Sequence, residues 1–266
     1  MNKKTILLTI DTEFYFSLEE IFGINGENGI EDILNIFDEH NVKATFFIDY
    51  LSIGKWGEKP FIKLTKLLKK SGHDIQLHAH SDSFGGKPYF WQLSYDKQKF
   101  VIEKAIHYFE KFNSETPKFF RAGSYSANND TLEILKEKGF TADLSFQYKQ
   151  KRCKIIVEKF QFVNKVGLID DLLEIPTGVY KYYYPFPRYN SINLEWCSLS
   201  ELKEICKQFE KSNADHFVLM LHSFSLLKRK DRSRFSRSSV NKKRLEKFLR
   251  FATQNGFRFQ TVTEYY

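Results

Sequence analysis

Cysteine is scarce in this chain, with Cys153, Cys197 and Cys206 the only three in 266 residues. The count is odd and no CxxC occurs, so nothing points to an oxidising compartment. Cys197 and Cys206 flank or lie in an expected helix and read as buried thiols. No apolar run approaches the ~18 residues that a membrane-spanning helix needs. The start, Met1-Asn2-Lys3-Lys4, is basic, but the apolar stretch Thr5–Ile10 is short and lacks a small-residue cleavage site. It runs straight into Asp11 and Glu13, so it reads as a first strand and not as a signal peptide, and a cytoplasmic location is expected. Repeats and low-complexity blocks are absent. Helix-turn-helix, RNP-type and zinc-finger signatures are missing too, which argues against a nucleic-acid partner.

What is present is an ordinary globular composition, 42% hydrophobic and 28% charged, which excludes disorder. The formal net charge is +8. It is unevenly placed: Lys228–Arg250 holds 11 Lys and Arg against 2 Asp and Glu, a local +9, and the remainder is −1. A near-neutral domain with one basic segment is not a nucleic-acid coat, but it leaves room for a local anion site.

Apolar strands alternate with amphipathic helices. Thr5–Ile10, Lys43–Ile48, Asp74–His78, Lys118–Arg121, Phe140–Leu144, His216–Leu221 and Phe257–Val262 read as strands. Helical spacing marks Ile30 to Phe37, Phe61 to Leu68, Val101 to Phe112, Asn129–Lys138, Leu199–Lys211 and Val240–Gln254. Residues Lys151–Asn193 are less regular and rich in aromatics. About seven such units in one domain, residues 1–266, fit an α/β barrel better than an open sheet.

In such folds chemistry gathers at the carboxyl ends of the strands. Here those ends carry Asp11-Thr12-Glu13, His78-Ala79-His80-Ser81-Asp82, Arg121-Ala122-Gly123-Ser124-Tyr125 and His222-Ser223. Asp11 and Glu13 are two apart, so on extended chain both side chains leave one face, and His78 and His80 do the same. Two imidazoles and a carboxylate are a usual ligand set for Zn²⁺ or a similar divalent ion, with a position left open for water. Asp82 is a further candidate oxygen ligand. The bland alternative is a set of hydrogen-bonded polar residues at strand ends. His40, His73, His107 and His216 read as structural.

These residues, in this order, resemble the polysaccharide deacetylase family (NodB homology, carbohydrate esterase family 4). Thr9-Ile10-Asp11-Thr12-Glu13 resembles its first motif, and Lys43–Phe47 its K-A-T-F-F strand. Gly72–His78 is similar to its G-H-E-I-x-x-H segment, and Phe120–Gly123 stands where the family has F-R-x-P. Leu173–Pro176 and Leu221–Ser223 resemble later motifs, so the likeness runs from about Thr5 to Thr261. Two departures matter. The adjacent Asp pair is replaced by Asp11-Thr12-Glu13, and the last position of H-x-x-x-H holds Asp82. This D-T-E and H-x-H version resembles a divergent branch associated with bacterial surface-glycan loci, such as those for lipopolysaccharide or capsule.

The resemblance implies a distorted (β/α) barrel of about seven strands and a metal-dependent hydrolase. Its reaction is removal of an N-acetyl or other acyl group from an amino sugar. It implies a divalent metal, zinc for preference, on Glu13, His78 and His80, with Asp82 the alternative to His80. Asp11 is the implied general base, Arg121 its ion-pair partner and His222 the acid that protonates the leaving amine. The exchanged assignment, Asp11 on the metal and Glu13 as base, stays open. The oxyanion is expected near the Tyr125 amide, and Glu174 behind Arg121 or His222.

Sugar rings stack on aromatic faces. Trp91, with Tyr89, and the run Tyr180, Tyr182, Tyr183, Tyr184, Phe186 and Tyr189 are therefore candidate glycan contacts. Loop packing is the competing reading of that run. The basic segment begins six residues after His222. Lys228, Arg229, Lys230, Arg232, Arg234 and Arg237 are candidates for binding the diphosphate of a nucleotide- or lipid-linked sugar, and the serines around them suggest a mobile loop. Peripheral membrane contact fits a lipid-linked substrate. A catalytically inactive carbohydrate-binding protein on the same barrel is the alternative.

Overall fold

Every residue of strand β1, Thr5–Thr12, is buried. That is the pattern of a strand covered on both faces, and its TILLTIDT sequence is nearly all β-branched or aliphatic before Asp11. The computed structural model describes all residues except 1–3, 15–16, 85, 157–163, 170, 184, 215 and 231–234. The chain divides into two compact units, the first formed by Met1–Phe46, Leu68–Asp74 and Tyr180–Tyr266, the second by Phe47–Leu67 and Ile75–Val179. Strand β2, Thr45–Asp49, begins in the first and ends in the second.

In the first unit β1 pairs in parallel with β10, His216–His222, in a register that sets Thr5 opposite His216 and Asp11 opposite His222. It also pairs in parallel with β13, Arg258–Gln260. The helix Ile30–Glu39 buries Ile30, Ile33, Leu34, Ile36 and Phe37. The helix Leu199–Glu210 buries Leu202, Ile205, Cys206 and Phe209. Ser198 and Glu201 close its N-terminus with a capping box, a device that contributes about 1 kcal/mol. The helix Ser239–Gln254 buries Leu245, Phe248, Leu249 and Ala252.

In the second unit the strand order is β2-β3-β4-β5-β7-β6. Strand β3 is Asp74–Ala79, β4 Phe119–Ala122, β5 Ala142–Asp143, β6 Gly167–Ile169 and β7 Leu172–Glu174. Strands β3, β4, β5 and β7 are parallel, with His78 opposite Arg121, Phe120 opposite Asp143, and Asp143 opposite Glu174. Strand β6 returns antiparallel on β7. The helix Tyr95–Asn113 buries Val101, Ile102, Ala105 and Phe109. The helix Asn129–Glu137 starts on an Asn128/Thr131 capping box.

The expected strands and helices are present, with shifted ends. The last expected strand stops at Gln260, and Val262–Tyr265 is a short helix, because Thr261 and Glu264 form a capping box. The expected mobile basic loop contains a β-hairpin, β11 (Leu227–Arg229) with β12 (Phe235–Arg237). Its serines are outweighed by Leu227 and Phe235, which are buried. The irregular 151–193 region supplies β6, β7 and a separate hairpin of β8, Val179–Tyr182, with β9, Arg188–Ser191. All three cysteines are free, and Cys197 and Cys206 are buried. No helix among the described residues is long and apolar enough to cross a membrane.

Candidate functional site

In the first unit the site is built where β1 and β10 end together. Their register sets Asp11 beside His222. The pairing continues one step further: Ser223 N–H donates to the Asp11 carbonyl at 2.9 Å, and Glu13 N–H to Ser223 Oγ at 3.4 Å. Ligand atoms of Asp11, Glu13 and His222 all lie within 4.8 Å of one another. Like-charged carboxylates converge on this scale only when a cation, a shared proton or strong hydrogen bonds offset their repulsion.

His222 Nδ1 lies 3.3 Å from both carboxylate oxygens of Glu195. A carboxylate accepts, so Nδ1 carries the hydrogen. Glu195 also accepts from the His222 backbone N–H at 3.2 Å and from Ser225 Oγ. It reaches this position because Asn193 bridges to Met220 of β10, with Leu194 N–H donating to the Met220 carbonyl at 3.0 Å. Burial pulls the His222 pKa down. The negative charge and hydrogen bonds of Glu195, then Glu13 and Asp11, outweigh that and raise it to about 9. Burial pushes the Glu195 carboxyl up, but His222 and its other donors bring it net below the ordinary range. The charged form of the imidazole is therefore favoured, with Phe224 stacked on it at 4.7 Å.

In the second unit β3 and β4 bring His78 and Arg121 side by side. His78 Nδ1 is 2.9 Å from the Arg121 carbonyl. A carbonyl only accepts, so Nδ1 bears the hydrogen and Nε2 is left as a lone pair. That Nε2 lies 3.2 Å from His80 Nε2, the two rings meeting edge-on. Two imidazole nitrogens facing each other, one of them presenting its lone pair, suit a shared divalent ion. Asp82 begins the turn that follows, Ser81–Phe84. His80 rests on Gly123: a Cβ there would fall 2.5 Å from its Nδ1.

Arg121 is fully buried. Its Nε donates to the Leu144 carbonyl at 3.3 Å, and its guanidinium lies 4.3 Å from the Phe47 ring centroid. Asp143, fully buried, neighbours it electrostatically and accepts from Ser145 N–H and Oγ. Burial raises the Asp143 pKa to about 6, with hydrogen bonds and Arg121 opposing. Glu174 accepts from Phe146 N–H at 3.1 Å. Burial and then the Asp143 charge raise its carboxyl well above the usual range. The pair therefore retains a proton near neutral pH.

The other expected residues fall as follows. Ser124 and Tyr125 both take left-handed backbone, φ 56° and 59°, in the turn after β4. Such conformations are strained for residues with side chains and collect at functional sites. Trp91 lies in a short 3₁₀ turn stacked on Tyr89. Tyr180 is only 6% exposed and donates to Glu201 at 2.6 Å. Tyr184, Arg232 and Arg234 lie outside the described residues. Arg237 pairs with Glu27 at 2.7 Å and Lys242 with Asp32 at 3.2 Å, so part of the basic segment is neutralised internally. His73 is structural: it accepts from Ala44 N–H, and burial lowers its pKa to about 4. Sequence reasoning missed Glu195 and Asp143, and it placed Gly123 in a motif without giving it a role. The carboxylate that orients His222 is Glu195.

Residues 1–142 match the family model described as polysaccharide deacetylase. Among curated proteins, the chain is 32% identical over 124 residues to the peptidoglycan deacetylase-like protein FGM2 of Gibberella zeae. That match covers 45% of this chain and 33% of the relative. The matched part thus spans about a third of that protein's length. Among solved structures, a Mycobacterium smegmatis protein assigned to the polysaccharide deacetylases superposes with TM-score 0.66 at 15% identity, over 100% of this chain and 90% of that one. BA3943 of Bacillus anthracis, a family 4 carbohydrate esterase pseudoenzyme, superposes with TM-score 0.57 at 15% identity, over 99% and 65%. At these identities the likeness speaks for the fold, which is the NodB-type (β/α) barrel expected from the sequence.

Proposed function

The chain belongs to the polysaccharide deacetylase family, and from that premise we propose that it removes N-acetyl or related acyl groups from an amino sugar. The proposed substrate is a surface glycan or its carrier-linked precursor. The observation that carries the reading is His222, held as an acid by Glu195 beside the carboxylates Asp11 and Glu13.

Glu13, His78 and His80 are the proposed holders of a divalent ion, zinc by the nature of the donors. The His78 Nε2 lone pair facing His80 Nε2 supports the two imidazole ligands. When bound, such an ion supplies Lewis acidity toward the acyl carbonyl and an acidified water. Asp11 takes the proton of the attacking water. Arg121 is retained as the proposed ion-pair partner of that base, as the family resemblance implies. The turned amide at Tyr125 donates to the oxyanion. His222 gives its proton to the departing nitrogen, since an amine leaves and an amide anion does not. Trp91, with Arg232 and Arg234 as an anion handle, completes the proposed substrate contacts; Glu174 is buried beside Asp143, and Tyr180 is buried against Glu201.

The test is acetate release from N-acetylchitotetraose by the purified protein, with metal content measured alongside. Hydrolysis lost on chelation and restored by Zn²⁺ is expected, and His78→Ala abolishes it. A protein that is metal-loaded and binds the oligosaccharide but releases no acetate is the carbohydrate-binding alternative.

A further inference from the structure

The segment Tyr148–Lys154 has no part in the chemistry above. It carries Lys149, Lys151, Arg152 and Lys154, and no Asp or Glu occurs from Leu144 to Ile156. Three of these cations sit on aromatic rings, Lys149 on its neighbour Tyr148 at 5.4 Å and the other two on one stacked pair. The Arg152 guanidinium is 5.8 Å from the Tyr89 ring centroid, and the Lys154 ammonium 5.6 Å from that of Trp91. The rings themselves stack at 5.6 Å and 12°. Among the described residues neither cation has a carboxylate partner within ion-pair distance.

The backbone under this group is fixed from both sides by one turn. Lys154 N–H donates to the Ala127 carbonyl at 2.9 Å, and Ile156 N–H to Asn129 Oδ1 at 2.7 Å. Phe90 N–H donates to Ser126 Oγ at 3.1 Å and Trp91 N–H to the Ser126 carbonyl at 3.2 Å. Ser126 closes back on Gly123, N–H to carbonyl at 3.1 Å, and Gly123 is the residue against which His80 rests. Three residues span at most about 10 Å of chain, so the aromatic pair is anchored close to His80.

Both cations lie near the outer limit for a cation–ring contact, about 6 Å, and both side chains are long and exposed. Their heads can leave the rings for a ligand anion, where charge-assisted hydrogen bonds are stronger. A pyranose ring then takes the aromatic face. We propose that Tyr89, Trp91, Arg152 and Lys154 form a subsite for a saccharide unit bearing an anionic group, next to the amino sugar that is deacetylated. The inference rests on the amino-sugar reading above and names the substrate class more narrowly: an acidic glycan. A carboxylate and a phosphate share this chemistry.

Calorimetric titration of the metal-free protein separates these possibilities without needing hydrolysis. The probes are N-acetylchitotetraose, a hyaluronan tetrasaccharide, and N-acetylglucosamine with and without a 6-phosphate. An anionic probe is expected to bind roughly tenfold more tightly than its neutral counterpart at low salt, the size of one charged contact. The Arg152→Gln/Lys154→Gln double variant brings that ratio to about one, and Trp91→Ala weakens neutral and acidic probes together. A gain confined to the hyaluronan probe identifies a carboxylate, and one confined to the 6-phosphate a phosphate. Equal affinity for neutral and acidic probes, no binding of any probe, or a preference that survives the double variant overturns the proposal. Acetate release is measured separately, so loss of the deacetylase reading and loss of the acidic subsite are distinct results.

Discussion

Gly123 lies so close to His80 that a Cβ at this position would sit 2.5 Å from the imidazole Nδ1. The ring and the missing side chain therefore share one space. Gly123→Ala is expected to push His80 off His78, which it now meets at 3.2 Å. Zinc affinity should fall about 10- to 100-fold, the usual effect of disturbing a ligand's support. Equilibrium dialysis against zinc measures it, and circular dichroism confirms the fold. Unchanged affinity would remove His80 from the ligand set.

Asp11 faces His222 across the β1–β10 register. As a base and not a ligand, Asp11→Asn should keep its metal and lose about 10²- to 10⁴-fold in kcat. Metal content and acetate release on one preparation decide it. Loss of the metal as well would exchange the roles of Asp11 and Glu13.

Glu195 orients His222 through Nδ1 and keeps it charged. Glu195→Gln should lower kcat about 10²-fold or more with KM little changed, because it disturbs proton delivery and not binding. Glu195→Asp should recover part of the rate. A change in KM alone would make Glu195 a packing residue.

The buried Asp143–Glu174 pair couples stability to pH. Asp143 is raised to about 6 in the fold against an unfolded value near 4, so folding binds protons. Its contribution is present in full below about pH 4 and is lost as pH rises through about 6. Glu174, raised further, extends the loss upward. The metal-free protein should therefore lose stability between pH 5 and 8 from this source. Glu174→Gln should flatten that slope in thermal unfolding. An equal slope in the variant would place the dependence elsewhere.

The elements and half of the site were legible because their signals are local. TILLTI, HFVLML and the helical spacing of Leu202, Ile205, Cys206 and Phe209 each state their own burial within a few residues. Asp11, His78, Arg121 and His222 were found because they sit at the ends of such strands. Glu195 was invisible by the same logic. It follows a single bridge from Asn193 to Met220, and only that long-range pairing carries it to His222. Gly123 reads only as the last residue of a motif until the His80 ring is placed against it. The cations of Tyr148–Lys154 vanished into a remainder whose charge totals −1.

The amino-acid sequence by itself determined the alternation of strands and helices, the identity of the groups at the strand ends, and their kinship. These follow from periodicity and side-chain chemistry, which neighbours along the chain suffice to express. Tertiary structure alone decided which groups hold one another. Glu195 charges His222, Asp143 shares burial with Glu174, and Gly123 yields its space to His80. Burial, distance and the electrostatic balance of a pair arise only when separate strands meet, and those quantities set what each polar residue is able to do.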